Sequence, residues 1–257
     1  MSKKILVTST DLMMVQFLLP HIRNLFENGY VVEVACSDVG GRMDEIHEKI
    51  RDCVRKIHTV DLHRSPAAPG NFKGYRQMKA IIEKGHYDII WTNEPVMGVV
   101  TRLAARRVRK SGTKVLYMVH GFHFYKGAPR VNWMIYYPIE KIMASKADVI
   151  CTVNREDYKR TQKFNVEQVR YIHGIGINTA RLTPGKKQND IRLELGLNKD
   201  DFIVLSVGEL NENKNQKVII EALSVLNDKK IHYLLCGKGN QADALKKLVA
   251  ERHLEQN

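Results

Sequence analysis

The sequence predicts an α/β fold in which a doubly wound, Rossmann-like domain is followed by the start of a second Rossmann-like domain. Short runs of β-branched and other apolar residues alternate with amphipathic helical stretches from the first residues onward. This alternation is typical of parallel strands joined by crossover helices. After a polar stretch that contains Pro184 and Gly185, the same alternation begins again, which indicates a second sheet.

The first domain is expected to span residues 1–180. Its strands are predicted at residues 4–9, 31–36, 55–60, 88–91, 114–119, 148–151 and 169–172. Its helices are predicted near residues 15–28, 73–84, 96–109, 131–145 and 155–163. Residues 183–190 contain no apolar side chain, so they are predicted to form an interdomain linker within residues 181–199.

The second domain is expected to cover residues 200–257. A short helix at 191–195 precedes it, and strands at 202–207 and 232–236 alternate with helices at 215–227 and near 242–252. Two parallel strands alone leave apolar faces exposed, because parallel sheets are normally covered on both sides. We therefore expect the second domain to be incomplete within this chain.

Composition places the chain among folded globular proteins, since 44% of its 257 residues are hydrophobic and 27% are charged. No apolar stretch is long enough for a signal peptide or a membrane-spanning helix, so a cytoplasmic protein is expected. The four cysteines, Cys36, Cys53, Cys151 and Cys236, are scattered without the spacing of metal ligands. Buried free thiols are expected, and no metal site.

The net charge of +13 at pH 7 favours anionic partners such as phosphates, anionic lipid or nucleic acid. No recognised nucleic-acid-binding motif is present, so nucleic acid is not expected as a partner. A basic stretch falls mostly on one predicted helix, with Arg102, Arg106, Arg107, Arg109 and Lys110. A solvated helix face is the usual explanation. The alternative is attraction to an anionic membrane surface, which predicts peripheral association with the inner face of the cell membrane.

Candidate binding residues follow three strands of the first domain. In open parallel sheets, ligands bind outside the carboxyl ends of the strands. Asp11 follows the first strand, Glu94 the fourth, and the segment His120-Gly121-Phe122-His123 the fifth. A histidine beside a glycine suits hydrogen bonding to a sugar hydroxyl or a transferred group. Two structural alternatives stay open: the histidines are ordinary loop or core residues, and Asn93 or Thr92 simply caps the next helix.

Two glycine turns follow the strands of the second domain. Gly208 and Glu209 follow its first strand, and Lys214 lies near the next helix start, where its charge adds to the helix dipole and suits a diphosphate. Gly237 and Gly239 follow the second strand. The alternative is a solvated polar loop. The chain contains neither a G-x-G-x-x-G loop after its first strand nor a G-x-x-x-x-G-K-[ST] motif, so an NAD or P-loop ATP site is not expected.

At these residues the chain resembles the retaining GT-B glycosyltransferases of family 4, also called glycosyl transferase group 1, and especially the branch that builds bacterial capsular and exopolysaccharides. The matching segments cover nearly the whole chain. They are residues 120–123 (H-G-F-H), 133–140 (W-M-I-Y-Y-P-I-E), 154–157 (N-R-E-D), 173–178 (H-G-I-G-I-N), 207–216 (V-G-E-L-N-E-N-K-N-Q) and 237–239 (G-K-G).

The resemblance implies that His120 is catalytic and contacts the transferred sugar, and that Lys214 holds the donor diphosphate. The donor is expected to be a UDP-sugar, with further contacts from Gly208, Glu209, Gly237 and Gly239. The acceptor is expected to be a lipid-linked or growing polysaccharide, with Asp11, Glu94, Gly121 and His123 as candidate binding residues. No metal or cofactor is implied, because basic side chains and helix dipoles stabilise the departing phosphate.

The chain departs from the family pattern at two places. Glu209 stands where many relatives carry arginine, and the family's later motif with paired glutamates does not occur before Asn257. The donor-binding domain is therefore expected to be truncated. Two other functions remain alternatives: a GT-B sugar-nucleotide epimerase, and a truncated, non-catalytic domain that binds membrane or glycan.

Overall fold

The computed structural model describes residues 2–10, 12–39, 43–174, 176, 179 and 191–257. The chain divides into two compact units, Met1–Ile177 and Asn178–Asn257, which we name the N-terminal unit and the C-terminal unit. This division falls beside the boundary expected at residue 180. The predicted linker at residues 183–190 lies outside the described residues.

The N-terminal unit alternates strands and helices along its described length. Its strands are β1 (Lys4–Ser9), β2 (Val31–Cys36), β3 (Lys56–Thr59), β4 (Ile89–Asn93), β5 (Lys114–Val119), β6 (Val149–Thr152) and β7 (Gln168–Tyr171). Its helices are α1 (Leu12–Glu27), α2 (Met43–Ile50), α3 (Gly70–Gly85), α4 (Pro95–Ala104), α5 (Arg106–Arg109), α6 (Arg130–Ala144) and α7 (Arg155–Thr161). Each of these strands lies within two residues of its predicted position.

The strands form one seven-stranded sheet in the order β3-β2-β1-β4-β5-β6-β7, and every neighbouring pair is parallel. The predicted doubly wound α/β fold is confirmed. The order changes direction between β1 and β4, since the earlier strands extend to one side and the later strands to the other. Ligands bind at such a switch point in open α/β sheets.

Helices cover both faces of this sheet. Ile5 and Val7 of β1 join a buried cluster with residues of α1 and α2, whereas Leu6, on the opposite face, packs with residues of α3 and α4. Successive strand side chains point to opposite faces. Burial on both sides explains why the strands read as nearly continuous apolar runs.

The C-terminal unit contains a two-stranded parallel sheet of β8 (Phe202–Val207) and β9 (Ile231–Cys236). Its described helices are α8 (Ile191–Glu194), α9 (Lys217–Leu226) and α10 (Ala242–Glu251). Side chains of α9 and α10 form a small core against the strands. Apolar side chains of β8 nevertheless stay exposed, with exposed fractions of 65% at Phe202 and 77% at Val207.

The cysteine prediction is wrong at one position. Cys36, Cys53 and Cys151 are buried free thiols, whereas Cys236 is free and exposed. Cys236 ends β9 in the two-stranded sheet, where no further described strand or helix covers it. Burial raises the pKa of the Cys36 thiol to about 12, so this thiol is protonated at neutral pH.

Two helices differ from the sequence-based expectation. Helix α2 was not predicted, because it is only eight residues long and, among its described side chains, buries just Ile46 and Ile50, one turn apart. The single helix predicted at 96–109 is interrupted at Ala105, which ends α4 and precedes α5. Neither proline nor glycine stands at this break, so no local signal marks it.

Candidate functional site

Glu94 links the two strands at the switch point. Its carboxylate accepts hydrogen bonds from Ser9 Oγ (2.5 Å) and from the backbone N–H of Thr10 (2.8 Å), both at the carboxyl end of β1. The Glu94 backbone has φ 64° and ψ 157°. This region strongly favours glycine and costs other residues about 1–3 kcal/mol, and such strain clusters at functional sites. The predicted acceptor-side position of Glu94 therefore lies at the fold's ligand-binding edge.

Asn93 and Thr92 do not cap helix α4, so the capping alternative is wrong. Asn93 Nδ2 donates to the Thr8 carbonyl oxygen (3.1 Å), and Thr92 Oγ1 is hydrogen-bonded to Thr8 Oγ1 (2.8 Å). The residue that precedes α4 is Glu94, whose side chain makes no capping hydrogen bond. Because β1 and β4 are neighbours, these side chains join the two strands.

His120 lies beside Asn93, one strand further along the sheet. Its Nε2 is 3.1 Å from Asn93 Oδ1. Since the Asn93 amide nitrogen donates to Thr8, the Asn93 oxygen must accept, and His120 Nε2 therefore carries the proton. Burial lowers the pKa of His120, which favours the neutral ring with Nδ1 as an acceptor.

His123 and Tyr136 form one wall of a cavity at the same edge. Their rings stack with centroids 4.6 Å apart. His123 is exposed, so it is not a core histidine. The cavity has a volume of about 190 Å³ and is lined by Thr10, Arg64, Pro66, Glu94, Pro95, Val96, His123 and Tyr136. A carboxylate, basic groups and an aromatic ring around one cavity suit a hydroxyl-rich ligand.

The structure brings together most of the predicted acceptor-side residues. Glu94 and His123 line the same cavity, and His120 contacts the residue before Glu94. Gly121 is exposed and has φ 142°, which suits glycine at this turn. Asp11 lies outside the described residues.

Helix α7 holds the loop after β5 through three side chains. The Phe122 N–H donates to Asp157 (3.1 Å), and the Lys126 N–H donates to Glu156 (2.7 Å). Arg160 donates to the Phe124 carbonyl (2.9 Å). The loop that carries His120 is thus positioned from a separate helix. Sequence reasoning missed this role, although Asn154 and Asp157 have the spacing of a helix N-cap pair.

The two glycine turns of the C-terminal unit contact each other. A Cβ added at Gly237 would lie 1.8 Å from the Gly208 carbonyl oxygen, and one added at Gly239 would lie 2.1 Å from the Leu210 carbonyl oxygen. Backbone hydrogen bonds join the turns, from Gly208 N to Cys236 O and from Leu210 N to Lys238 O, each 3.0 Å. Only glycine permits this approach.

Lys214 and Glu209 occupy the loop between the first turn and α9. Lys214 is exposed and lies three residues before α9. The Glu209 carboxylate accepts from Asn211 Nδ2 (3.0 Å), and its carbonyl accepts from Gln216 Nε2 (2.9 Å). Glu209 therefore shapes this loop, while Lys214 presents the cation. The turn residues Gly237, Lys238 and Gly239 line a cavity of about 530 Å³.

The predicted membrane-facing basic stretch needs correction at two residues. Arg102 is fully buried, where its guanidinium bonds Glu140 (2.9 Å) and stacks on Tyr117 at 3.9 Å. Arg109 binds both carboxylate oxygens of Asp148. The side chain of Arg102 points inward because it follows the buried face of α4. Arg106, Arg107 and Lys110 are exposed as expected.

The described residues contain neither a membrane-spanning helix nor a cluster of metal ligands. None of the described helices combines the length and apolar character needed to span a membrane. Nor do His, Cys, Asp and Glu side chains in the described ranges form a group of three or more that could hold a metal ion.

The chain matches two family descriptions in succession. Residues 15–181 match Glycosyltransferase Family 4, and residues 187–257 match Glycosyl transferases group 1. The chain is 40% identical over 246 residues to a Bacillus subtilis (strain 168) protein named "Putative glycosyltransferase EpsD", which covers 93% of this chain and 62% of that protein.

A second curated relative is the Escherichia coli UDP-Gal:alpha-D-GlcNAc-diphosphoundecaprenol alpha-1,3-galactosyltransferase. It is 24% identical over 224 residues, which cover 84% of this chain and 56% of that protein. The chain thus spans about three fifths of the length of these two relatives.

Solved structures share the fold at low sequence identity. Anabaena HepE in complex with UDP and glucose gives a TM-score of 0.68 at 16% identity, over 98% of this chain and 67% of that chain. A UDP-N-acetylglucosamine 2-epimerase gives 0.66 at 11% identity, over 100% and 67%. Because the first family match alone covers well over half of the residues, the chain belongs to the GT-B glycosyltransferases of family 4, with a C-terminal part of the group 1 type.

Proposed function

We propose that this chain carries the acceptor side and part of the donor side of a retaining glycosyltransferase. The proposed reaction moves a sugar from a UDP-sugar to a lipid-linked or growing polysaccharide acceptor in capsule or exopolysaccharide synthesis. The names of the two curated relatives support this class, since the first contains the word glycosyltransferase and the second gives UDP-Gal and a diphosphoundecaprenol-linked acceptor.

The observation that carries the proposal is the pair His120 and Asn93 at the carboxyl edge of β4 and β5. Asn93 fixes the ring so that Nδ1 is a neutral acceptor. A neutral imidazole accepts a hydrogen bond from a sugar hydroxyl, whereas an imidazolium cannot. Glu94, next in the chain, lines the cavity that we assign to the acceptor.

On the donor side, we assign the diphosphate to the turn at Gly208 and to Lys214. The loop before α9 presents the Lys214 ammonium near a helix N-terminus, and both favour negative charge. Gly237 and Gly239 let the neighbouring turn pack against the turn at Gly208, and we assign the nucleotide to the backbone of this pair of turns. This scheme requires no metal or cofactor, because the positive charge that stabilises the leaving diphosphate comes from the protein.

The test compares the 257-residue chain with a His120→Ala variant. Transfer from radiolabelled UDP-sugars to a diphosphoundecaprenol-linked sugar is measured, and nucleotide binding is followed by UDP-dependent thermal stabilisation. We expect the substitution to lower the transfer rate by about 10²-fold or more and to leave UDP binding unchanged. His47→Ala, an exposed histidine on α2, is the matched control. Equal, measurable transfer rates in the wild type and the His120→Ala variant would remove His120 from the proposed role.

The same assays separate the two alternatives. Isomerisation of the UDP-sugar without any acceptor would favour an epimerase, whose fold this chain shares. Absence of UDP-dependent stabilisation would favour a domain that binds acceptor or membrane only. Sugar transfer that depends on the acceptor supports the proposed glycosyltransferase.

A further inference from the structure

Arg102, Glu140 and Tyr117 form a buried, hydrogen-bonded network in the N-terminal unit. Their exposed fractions are 0%, 4% and 1%. The Glu140 carboxylate accepts hydrogen bonds from Arg102 Nη2 and from the Tyr117 hydroxyl, each 2.9 Å long. Arg102 Nε donates to the Gly98 carbonyl (2.8 Å), and its guanidinium lies 3.9 Å from the centroid of the Tyr117 ring. We name Arg102, Glu140 and Tyr117 the Arg102 network.

The Arg102 network joins two helices that both contribute to the cavity at the switch point. Arg102 lies on α4, which begins directly after Glu94. Glu140 lies on α6, one helical turn or about 6 Å after Tyr136. Glu94 and Tyr136 both line the cavity. The hydrogen bond between Arg102 and Glu140 therefore connects the helix behind one lining residue with the helix that carries the other.

Tyr117 connects the same pair to strand β5. This strand ends two residues after Tyr117 and leads directly to His120 and to the cavity residue His123. Gly98 permits the close approach of the ring to α4, because a Cβ at this position would lie 2.6 Å from Tyr117 Cε2. One buried network therefore joins α4, α6 and β5, and each of these elements leads to a residue of the candidate acceptor site.

Stability alone does not account for two buried charges at this position. Apolar residues of similar size in place of a buried ion pair often leave a protein equally stable or make it more stable. Arg102 Nη1 is buried and has no hydrogen-bond partner among the described residues, which adds a further cost. Hydrogen bonds require a defined distance and direction, so they hold the two helices at one offset, whereas apolar contacts tolerate several.

We propose that Arg102, Glu140 and Tyr117 are positioning residues for the cavity at the switch point. By fixing α4 and α6 relative to β5, the network holds Glu94 at a set separation from the stacked rings of His123 and Tyr136. The network does not line the cavity, so it acts through these lining residues. Its effect on acceptor binding rests on the proposed function, whereas its effect on the cavity itself does not.

The test replaces the network with apolar side chains in the triple variant Arg102→Met, Glu140→Leu, Tyr117→Phe of the 257-residue chain. No buried charge loses its partner in this variant, so its urea midpoint is expected to match or exceed that of the wild type. Hydrogen exchange of peptides covering residues 92–98 and 119–126 is expected to become about tenfold faster, because this edge opens locally. The KM of the acceptor is expected to rise about tenfold, at an unchanged KM of the UDP-sugar, because the lining residues are misplaced.

The matched control removes another ion pair of the same unit. Arg23 on α1 bonds Asp52, in the turn after α2, at 2.8 Å, and neither residue lines the cavity. The double variant Arg23→Gln, Asp52→Asn is expected to keep the wild-type exchange of both segments and the wild-type acceptor KM. Tyr117→Phe alone deletes one hydrogen bond and keeps the ring, so it serves as a second variant that is expected to fold. Its exchange and acceptor KM are expected to change about threefold in the same direction.

The proposal is overturned if a folded triple variant keeps the wild-type exchange of both segments, or keeps the wild-type acceptor KM while the exchange becomes faster. If the triple variant does not fold, Tyr117→Phe decides. Exchange that is unchanged, or that becomes faster throughout the N-terminal unit, would then show that the network only stabilises the fold. Faster exchange confined to the two segments, without any sugar transfer by the wild type, would support the positioning of the cavity and count against the proposed function instead.

Discussion

The two units follow the same strand-and-helix alternation, yet their strands meet different surroundings. In β1, five of six residues are buried, whereas β8 has no buried residue. Both strands are rich in β-branched and apolar residues. Strand burial therefore depends on the neighbouring strands and helices, and a strand's own sequence shows only that it can be buried.

This difference extends to the candidate sites. The N-terminal unit builds its site from side chains that bond across strands, as Glu94 and Asn93 do. The C-terminal unit builds its site from backbone, in the contact of two glycine turns. A low-dielectric interior strengthens side-chain hydrogen bonds of the first kind, whereas turns of the second kind depend on the absence of a Cβ.

The buried charge at Arg102 gives the largest expected effect. Arg102→Ala leaves the Glu140 carboxylate buried without its cation, and removing one partner of a buried pair costs about 3–5 kcal/mol. Both tryptophans, Trp91 and Trp133, lie in the N-terminal unit, so urea unfolding followed by tryptophan fluorescence reports on this unit. Arg106→Ala, an exposed neighbour, is expected to stay within about 0.5 kcal/mol of the wild type. Similar urea midpoints for Arg102→Ala and Arg106→Ala would contradict the expectation that the buried Arg102–Glu140 pair stabilises the N-terminal unit.

A pH effect at Glu33 comes next in size. Burial alone would raise the pKa of Glu33, but hydrogen bonds from His58, Tyr87 and Lys4 outweigh it and lower the pKa from 4.5 to about 2. A depressed carboxyl pKa stabilises the folded state above the unfolded pKa, and this stability is lost as the pH falls through the folded pKa. The stabilisation that the ionised Glu33 carboxylate contributes is on the order of 3 kcal/mol.

The free energy of unfolding of the wild type should therefore exceed that of Glu33→Gln at pH 5–7, and the difference should shrink between about pH 4.5 and 2. Urea unfolding at several pH values, again followed by tryptophan fluorescence, measures it. A difference that stays constant down to pH 2 would show that Glu33 does not titrate with the depressed pKa.

The smallest expected effect is confined to the C-terminal unit. Gly237→Ala places a Cβ against the Gly208 carbonyl oxygen, and relieving such a backbone clash costs about 1–3 kcal/mol. Hydrogen exchange of β8 and β9 amides should become faster, while tryptophan fluorescence unfolding of the N-terminal unit should not change. Lys238→Ala, at an exposed position between the two glycines, is the control. Unaltered exchange in Gly237→Ala would mean that the turns can separate freely.

Local sequence signals predicted the strands. They also predicted that Glu94 and His120 lie at the same edge of the sheet, because the carboxyl ends of parallel strands meet at one edge however the side chains pack. The position of Arg102 was not predictable in this way. Its environment is set by Gly98, which lets the Tyr117 ring approach α4, and by Glu140, 38 residues later in the chain. The strained backbone of Glu94 likewise follows from contacts with β1, which no nearby residue encodes.

Helix α7 makes the loop after β5 part of a transferable module. Three of its side chains hold Phe122, Phe124 and Lys126 at alternate positions. A chimaera that received only this loop from a relative would lose the match between the loop backbone and the helix. Exchange of residues 120–126 together with 154–160 would keep both halves of the contact, so this pair of segments is the unit to exchange between relatives.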